Sequence, residues 1–193
     1  MRLAIFGGTF DPIHKAHVAM AREAADRFHL QRVLFVPASH PPHKSGQTFA
    51  PYEDRLHMVE LASQGDKRFE VSRLEQGPGR SYSIDTVERV RAKLASGDEL
   101  FFLIGADAFA EVETWHRWRE LIAVVKFIVV SRPGHHYRIP EAARVERLET
   151  LDLPMSSSEI RAALAAGKRP AEISEPVLVY IYRHGLYGVP VGA

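Results

Sequence analysis

This chain contains no cysteine, which excludes disulfides and thiolate metal sites. It carries almost no net charge: 25 Lys and Arg stand against 24 Asp and Glu. That balance argues against the broad basic footprint that nucleic-acid binding requires. Long apolar runs are missing too. The longest, residues 121–130, is interrupted by Lys126 and is far too short to span a bilayer. The N-terminal apolar run breaks at Gly7 and lacks the form of a secretory signal peptide. No repeat, low-complexity tract or interdomain linker stands out. The expectation is one domain over residues 1–193, cytoplasmic, with no membrane and no nucleic acid among its partners.

What the chain does have is concentrated at its start. Residues 2–6, mostly apolar, run into Gly7-Gly8, then Thr9-Phe10-Asp11-Pro12-Ile13-His14, with His17 following. Val18, Ala21, Ala25 and Phe28 then recur at helical spacing. The order is strand, glycine turn, helix start. Glycines let a backbone approach a ligand closely, and the first N–H groups of a helix lack intrahelical partners, so the segment suits phosphate. His14 and His17 share one face of a helical turn and can donate to phosphoryl oxygens. No Gly-Lys-Ser/Thr closes the loop, so it is not a Walker A motif, and it is not a Gly-x-Gly-x-x-Gly fingerprint. Singly, each residue has an ordinary structural reading; together they point to a site. His14/His17 and His40/His43 also have the spacing of a metal-dependent hydrolase, which needs a further carboxylate or histidine to converge on them.

The rest of the chain alternates. Residues 32–37 predict a second buried strand, and a loop stiffened by Pro41 and Pro42 follows. Lys44 in that loop suits either a solvated charge or a contact to an anionic substrate. Pro51 opens a helix through Leu56, Val59 and Ala62 that stops near Gly65. Residues 68–74 alternate as a strand, and 76–82 form a turn. A helix with Ile84, Val87, Val90 and Leu94 on one stripe ends at Gly97, and Ser83 suits its cap. Residues 99–104 predict a buried strand ending in Gly105-Ala106-Asp107, where a carboxylate can cap a helix or accept from ribose hydroxyls. Trp115 and Trp118 fit a core or, for one of them, a stack on a flat heteroaromatic ring. Residues 127–131 and 145–153 predict two more strands, with Arg132 placed after the first to pair with phosphate. Ser156 and Glu159 fit a capping box, which leaves Arg161 unexplained. Val177, Tyr180, Ile181 and His184 share a last helix that stops at Gly185. The alternation predicts an α/β, mostly parallel sheet with helices on both faces. The candidate residues then fall along one sheet edge.

The segment from Gly7 to His17 resembles the N-terminal motif of the bacterial nicotinate-mononucleotide adenylyltransferases, within the nucleotidyltransferase superfamily marked by His-x-Gly-His. Ala16 stands where that superfamily usually has glycine. Pro41-Pro42-His43-Lys44, Ser81-Tyr82-Ser83-Ile84-Asp85-Thr86, Gly105-Ala106-Asp107, Trp115, Ser156-Ser157-Ser158-Glu159-Ile160-Arg161 and the C-terminal Tyr-Ile-x-x-His-x-Leu-Tyr element extend the resemblance to about residue 187. Ser83 replaces a more usual threonine. The resemblance implies a Rossmann-like doubly wound fold with a small helical C-terminal portion over about 155–193. It implies transfer of AMP from ATP to nicotinate mononucleotide, releasing pyrophosphate, in NAD biosynthesis. His14 and His17 are then the catalytic pair. Gly8, Thr9, Phe10, Lys44, Gly105, Asp107, Ser156, Ser157 and Arg161 contact ATP and its phosphates. Tyr82, Ser83, Trp115 and Arg132 contact the mononucleotide. Mg²⁺ is expected on the triphosphate, since no acidic cluster of ligand spacing appears. Nicotinamide mononucleotide and phosphopantetheine are alternative acceptors, and a non-catalytic nucleotide sensor is the alternative of another class. Monomer and dimer both stay open.

Overall fold

A computed structural model describes residues 1–41, 48–150 and 156–191. Its six strands are β1 (Arg2–Gly8), β2 (Arg32–Pro37), β3 (Phe69–Val71), β4 (Glu99–Gly105), β5 (Lys126–Ser131) and β6 (Arg144–Glu149). All pairings are parallel, in the order β3-β2-β1-β4-β5-β6. Helices α1 (Lys15–Arg27), α2 (Tyr52–Ser63), α3 (Ser83–Arg91), α4 (Ala106–Ala110), α5 (Trp118–Val124), α6 (Ser157–Ala165) and α7 (Glu175–Arg183), with short 3-10 turns at Val112–Thr114 and Leu186–Gly188, complete the described elements. The chain enters at the centre, winds outward to β3, then crosses to β4 and winds outward the other way. Winding therefore reverses between β1 and β4, which opens a crevice at their C-terminal ends.

Side-chain alternation assigns the two faces. Ala4, Phe6, Val33, Phe35, Phe101 and Leu103 pack with α1, α2, α6 and α7. Their sequence neighbours Leu3, Ile5, Val36, Phe102 and Ile104 pack with α3, α4 and α5. Both faces are covered, so the central strands have no polar side and read as continuous apolar runs. The outermost strand β6 instead carries Arg144, Glu146, Arg147 and Glu149, charges that discourage edge pairing.

Several elements are shorter than their sequence patterns predict. β3 covers 69–71 rather than 68–74: its ladder with β2 ends at Val71, and beyond it Arg73 pairs with Glu53 of α2 at 2.8 Å. β6 ends at Glu149, and the predicted continuation through 151–153 lies outside the described residues. α3 stops at Arg91, and tight turns carry the chain to Gly97. Ser83 is not the cap of α3: Tyr82 is, and no side chain bonds the cap. α4 and α5 have 5 and 7 residues, too few for a helical period to show in the sequence.

Candidate active site

β1 delivers Gly7-Gly8 to the crevice. A Cβ on Gly8 would lie 2.9 Å from Phe10 Cζ, so the ring of Phe10 can cover the strand end only if residue 8 is glycine. Phe10 itself holds a left-handed backbone, φ 48°, a conformation uncommon outside glycine. Its buried ring meets Phe6 edge-on at 5.4 Å and His17 at 5.2 Å. Gly8 and Thr9 line the cavity, while the Phe10 side chain supports His17 from the core.

α1 then places both histidines on one wall. Their ring centroids are 3.8 Å apart with planes 36° apart. The His14 backbone N–H donates to His17 Nδ1 at 3.3 Å. An accepting Nδ1 means that neutral His17 carries its proton on Nε2. His14 is buried, and burial lowers its pKa from 6.5 to about 4, against a smaller upward pull from Glu172. His14 is therefore uncharged at neutral pH, and two imidazolium rings at this spacing would repel.

α6 meets the same wall from far along the chain. Ser156 caps it: the Glu159 N–H donates to Ser156 Oγ, and the Ser156 N–H and hydroxyl both donate to Glu159 Oε2 at 2.8 Å. Those bonds keep the Glu159 carboxylate below its ordinary pKa. Ser157 Oγ donates to the Pro12 carbonyl at 3.2 Å, fastening the N-terminus of α6 to the β1–α1 turn. Ser156 and Ser157 line the cavity. Arg161 stands behind that turn rather than on the cavity wall. Its Nη1 donates to the Asp11 carbonyl at 2.7 Å, its Nη2 to Ser158 Oγ at 3.1 Å, and its guanidinium lies 4.0 Å over the Phe49 ring. Lys44 lies outside the described residues.

The cavity measures about 890 Å³ and continues past Gly105 to a second group of residues. Tyr82, Ser83, Asp107, Trp115 and Arg132 all line it. The Asp107 side chain is fully exposed, with His135 Nε2 at 3.8 Å. Trp115 is half-buried and meets Phe102 edge-on at 6.2 Å, while Tyr82 lies against His116 at 4.2 Å. Trp118 is half-buried against the core, with Arg119 over its ring at 4.4 Å. Ser81 Oγ accepts from the Ser39 and His40 N–H groups at 2.9 and 3.1 Å, tying the loop after β2 to the start of α3.

Sequence reasoning missed two groups. Glu75 lines the cavity and accepts from Thr86 Oγ1 at 2.6 Å; burial raises its pKa. Asp11 and Arg55 sit inside the molecule at 3% and 0% exposure. Arg55 had a sequence signal: it falls on the buried stripe of α2 with Leu56, Val59 and Ser63, and a charge on an apolar stripe needs a partner. Glu75, in an irregular turn, had none. Among the described residues, no group of three or more His, Asp or Glu is placed to hold a metal ion.

Comparison with known proteins extends these observations. The model of the cytidylyltransferase-like family matches residues 5–163. A protein of Solibacter usitatus, named "Probable nicotinate-nucleotide adenylyltransferase", is 63% identical over 187 residues, covering 97% of this chain and all of that protein. One of the same name from Thermus thermophilus is 44% identical over 190 residues, with 97% and 100% covered. Among solved structures, the nicotinic acid mononucleotide adenylyltransferase of Plasmodium falciparum, complexed with NaAD, superposes with a TM-score of 0.77. The superposition covers 96% of this chain and 97% of that one; at 20% identity this is a likeness of fold.

Proposed function

The chain belongs to the cytidylyltransferase-like family and, within it, to the nicotinate-nucleotide adenylyltransferases; on that premise we propose that it transfers AMP from ATP to nicotinate mononucleotide, giving nicotinate adenine dinucleotide and pyrophosphate, as a cytoplasmic step of NAD synthesis. One observation carries the reading. Ser157 Oγ reaches the Pro12 carbonyl at 3.2 Å, so the helix starts of α1 and α6, 145 positions apart at this contact, face a single cavity. Two helix N-termini meeting at one cavity, each the positive end of its helix dipole, suit a polyphosphate. The remaining length of the cavity, lined by Tyr82, Ser83 and Trp115, suits a flat ring.

The nucleophile is the 5′-phosphate of the mononucleotide. It is already ionised at neutral pH, so no strong base is required. Its oxygen bonds to the α-phosphorus as the bond to the β-phosphate bridging oxygen breaks, and the electron pair leaves with pyrophosphate. Catalysis is then alignment together with stabilisation of charge. His17 Nε2–H donates to the α-phosphoryl oxygens, and neutral His14 holds it through the Nδ1 bond and assists at the phosphates. Gly8, Thr9 and Phe10 give backbone amides and close approach; Ser156 and Ser157 present the start of α6. Gly105 and Asp107 take the adenylate ribose. Lys44 and Arg161 add positive charge at the phosphates, which for Arg161 requires it to leave the Asp11 carbonyl. Arg132 pairs with the mononucleotide phosphate, Trp115 stacks on the pyridine, and Tyr82 and Ser83 receive its carboxylate. Mg²⁺ bound with ATP would supply neutralisation of the phosphate charge alongside Lys44 and Arg161.

A pyrophosphate-release assay with ATP and, in parallel, nicotinate mononucleotide, nicotinamide mononucleotide and phosphopantetheine tests the proposal. Release is expected fastest with nicotinate mononucleotide. Faster release with another acceptor reassigns the substrate. No release with any of them overturns the proposal and favours a non-catalytic nucleotide sensor.

A further inference from the structure

The C-terminal tail reaches back to the turn beside the phosphates. Past α7, Tyr187 adopts a left-handed backbone, φ 59°, between Gly185 at φ 60° and Gly188 at φ 80°. An aromatic residue in that conformation is strained, and such strain persists only where surrounding contacts impose it. The contact here is specific: Tyr187 Oη donates to Asp11 Oδ1 at 2.8 Å. The same buried carboxylate accepts from the Phe49 N–H at 2.7 Å on Oδ2 and from the Ala50 N–H at 3.1 Å on Oδ1. From the other side, fully buried Arg55 donates from Nη1 to the Thr9 carbonyl at 2.6 Å and from Nε to the Ala50 carbonyl at 3.2 Å. Thr9 to Asp11 is thus held by Tyr187, by the backbone N–H groups of Phe49 and Ala50, by Arg55, and by Arg161 on the Asp11 carbonyl; among the described residues, the contact arriving from beyond α7 is the Tyr187 hydroxyl.

We propose that Tyr187 is a positioning residue for adenylyl transfer: by bonding Asp11 it sets the orientation of the turn that presents Thr9 and the His14–His17 pair to the phosphates. The inference rests on the function proposed above. A carboxylate held by three donors cannot rotate. Remove the hydroxyl and Asp11 keeps only the two backbone donors of 49–50, so turn and loop shift together against α6. Reaction rates fall steeply with small misalignments of reacting groups. Burial and the Asp11 charge both keep the Tyr187 phenol protonated well beyond the physiological range, so it stays a donor throughout.

The test compares two tyrosines that leave the C-terminal segment by the same chemistry. Tyr180 Oη donates to Asp54 Oδ1 on α2 at 2.8 Å, away from the turn. Tyr187→Phe is expected to lower kcat about 10-fold, with both KM values within about twofold, while Tyr180→Phe leaves kcat unchanged. In an Asp11→Ala background, which leaves Tyr187 no side-chain acceptor at position 11, adding Tyr187→Phe is expected to change kcat by less than about twofold. NMR signals of the His17 ring provide a readout that needs no turnover: they shift in Tyr187→Phe and not in Tyr180→Phe. Unchanged kcat and unmoved His17 signals in Tyr187→Phe overturn the inference, as does an equal response to Tyr180→Phe. A wild-type protein that forms no nicotinate adenine dinucleotide sinks the functional reading instead, and the His17 signals still decide the role of Tyr187.

Discussion

The two ends of the cavity are built differently. At the phosphate end the wall is held by hydrogen bonds from sequence-distant side chains, half-buried Ser157 on Pro12, buried Arg55 on Thr9 and half-buried Tyr187 on Asp11. At the ring end the wall is made by half-buried aromatics and one bridging hydroxyl, Ser81, over loops that follow β2 and precede α3. Charge makes the contrast sharper. Burial pushes His14 at the phosphate end toward its neutral form by lowering its pKa, and pushes Glu75 at the ring end toward neutral by raising it. Displacing a phosphate tolerates little misalignment, whereas ring recognition asks for a surface that admits the ligand. Under the proposed function, the cross-tied end is where bonds would be made and broken, and the other end is where the mononucleotide ring would be chosen.

The largest expected effect breaks the cross-tied end directly. His17→Ala should lower kcat about 10²–10³-fold, the size typical of removing one preorganised donor, with ATP affinity little changed. Normal turnover in that variant would remove His17 from the chemistry. Next comes acid. His14 titrates near 6.5 when unfolded and about 4 when folded, so the unfolded chain binds the extra proton between those values. Its contribution to stability is complete above pH 6.5 and falls as pH drops toward 4, by about 3 kcal/mol in all at 1.4 kcal/mol per unit. Glu75 works the other way: a raised folded pKa favours the fold at low pH and loses that advantage as pH rises. Urea unfolding at pH 7 and 5 should show His14→Gln flattening the acid loss and Glu75→Gln steepening it. Parallel profiles for both variants would erase the distinction between the two ends.

A smaller effect sharpens the ring end. Trp115→Ala should raise KM for nicotinate mononucleotide about 10-fold, as expected for losing a stacked aromatic beneath a cationic pyridinium, and leave that for ATP within about twofold. Equal rises in both would make Trp115 a packing residue. The smallest effect is local: Ser156→Ala should cost about 1 kcal/mol of stability through the lost cap of α6, read as a shift in the denaturation midpoint. No shift would show that Glu159 alone can close that helix.

Where the physics is local, the chain was readable in advance. The β1–α1 turn, the Ser156–Glu159 box and helices α1, α2, α3 and α7 all depend on neighbours within a few residues, and each forms where its pattern placed it, although Phe28, Leu94 and His184 of the expected stripes fall past the helix ends. Misreadings fell where a partner from elsewhere decided. β3 ends at Val71, short of its alternating pattern, and α4 and α5 are too short to carry a period. Arg161 was visible in its motif, yet its bond to the Asp11 carbonyl spans 150 positions. Tyr187, in the C-terminal Tyr-Ile-x-x-His-x-Leu-Tyr element, bonds across 176 positions.

By itself, then, the sequence determined the layering and the chemistry on offer. Apolar periods set which segments are strands or helices, and glycines and histidines after a strand set where phosphate can be met. Tertiary structure alone decided which distant groups share a carboxylate, which histidine is buried neutral and which arginine faces away from the cavity. The reason is physical: periodicity and capping are short-range, whereas burial and hydrogen-bond partners depend on what the folded chain brings within about 3 Å, and no spacing along the chain encodes that.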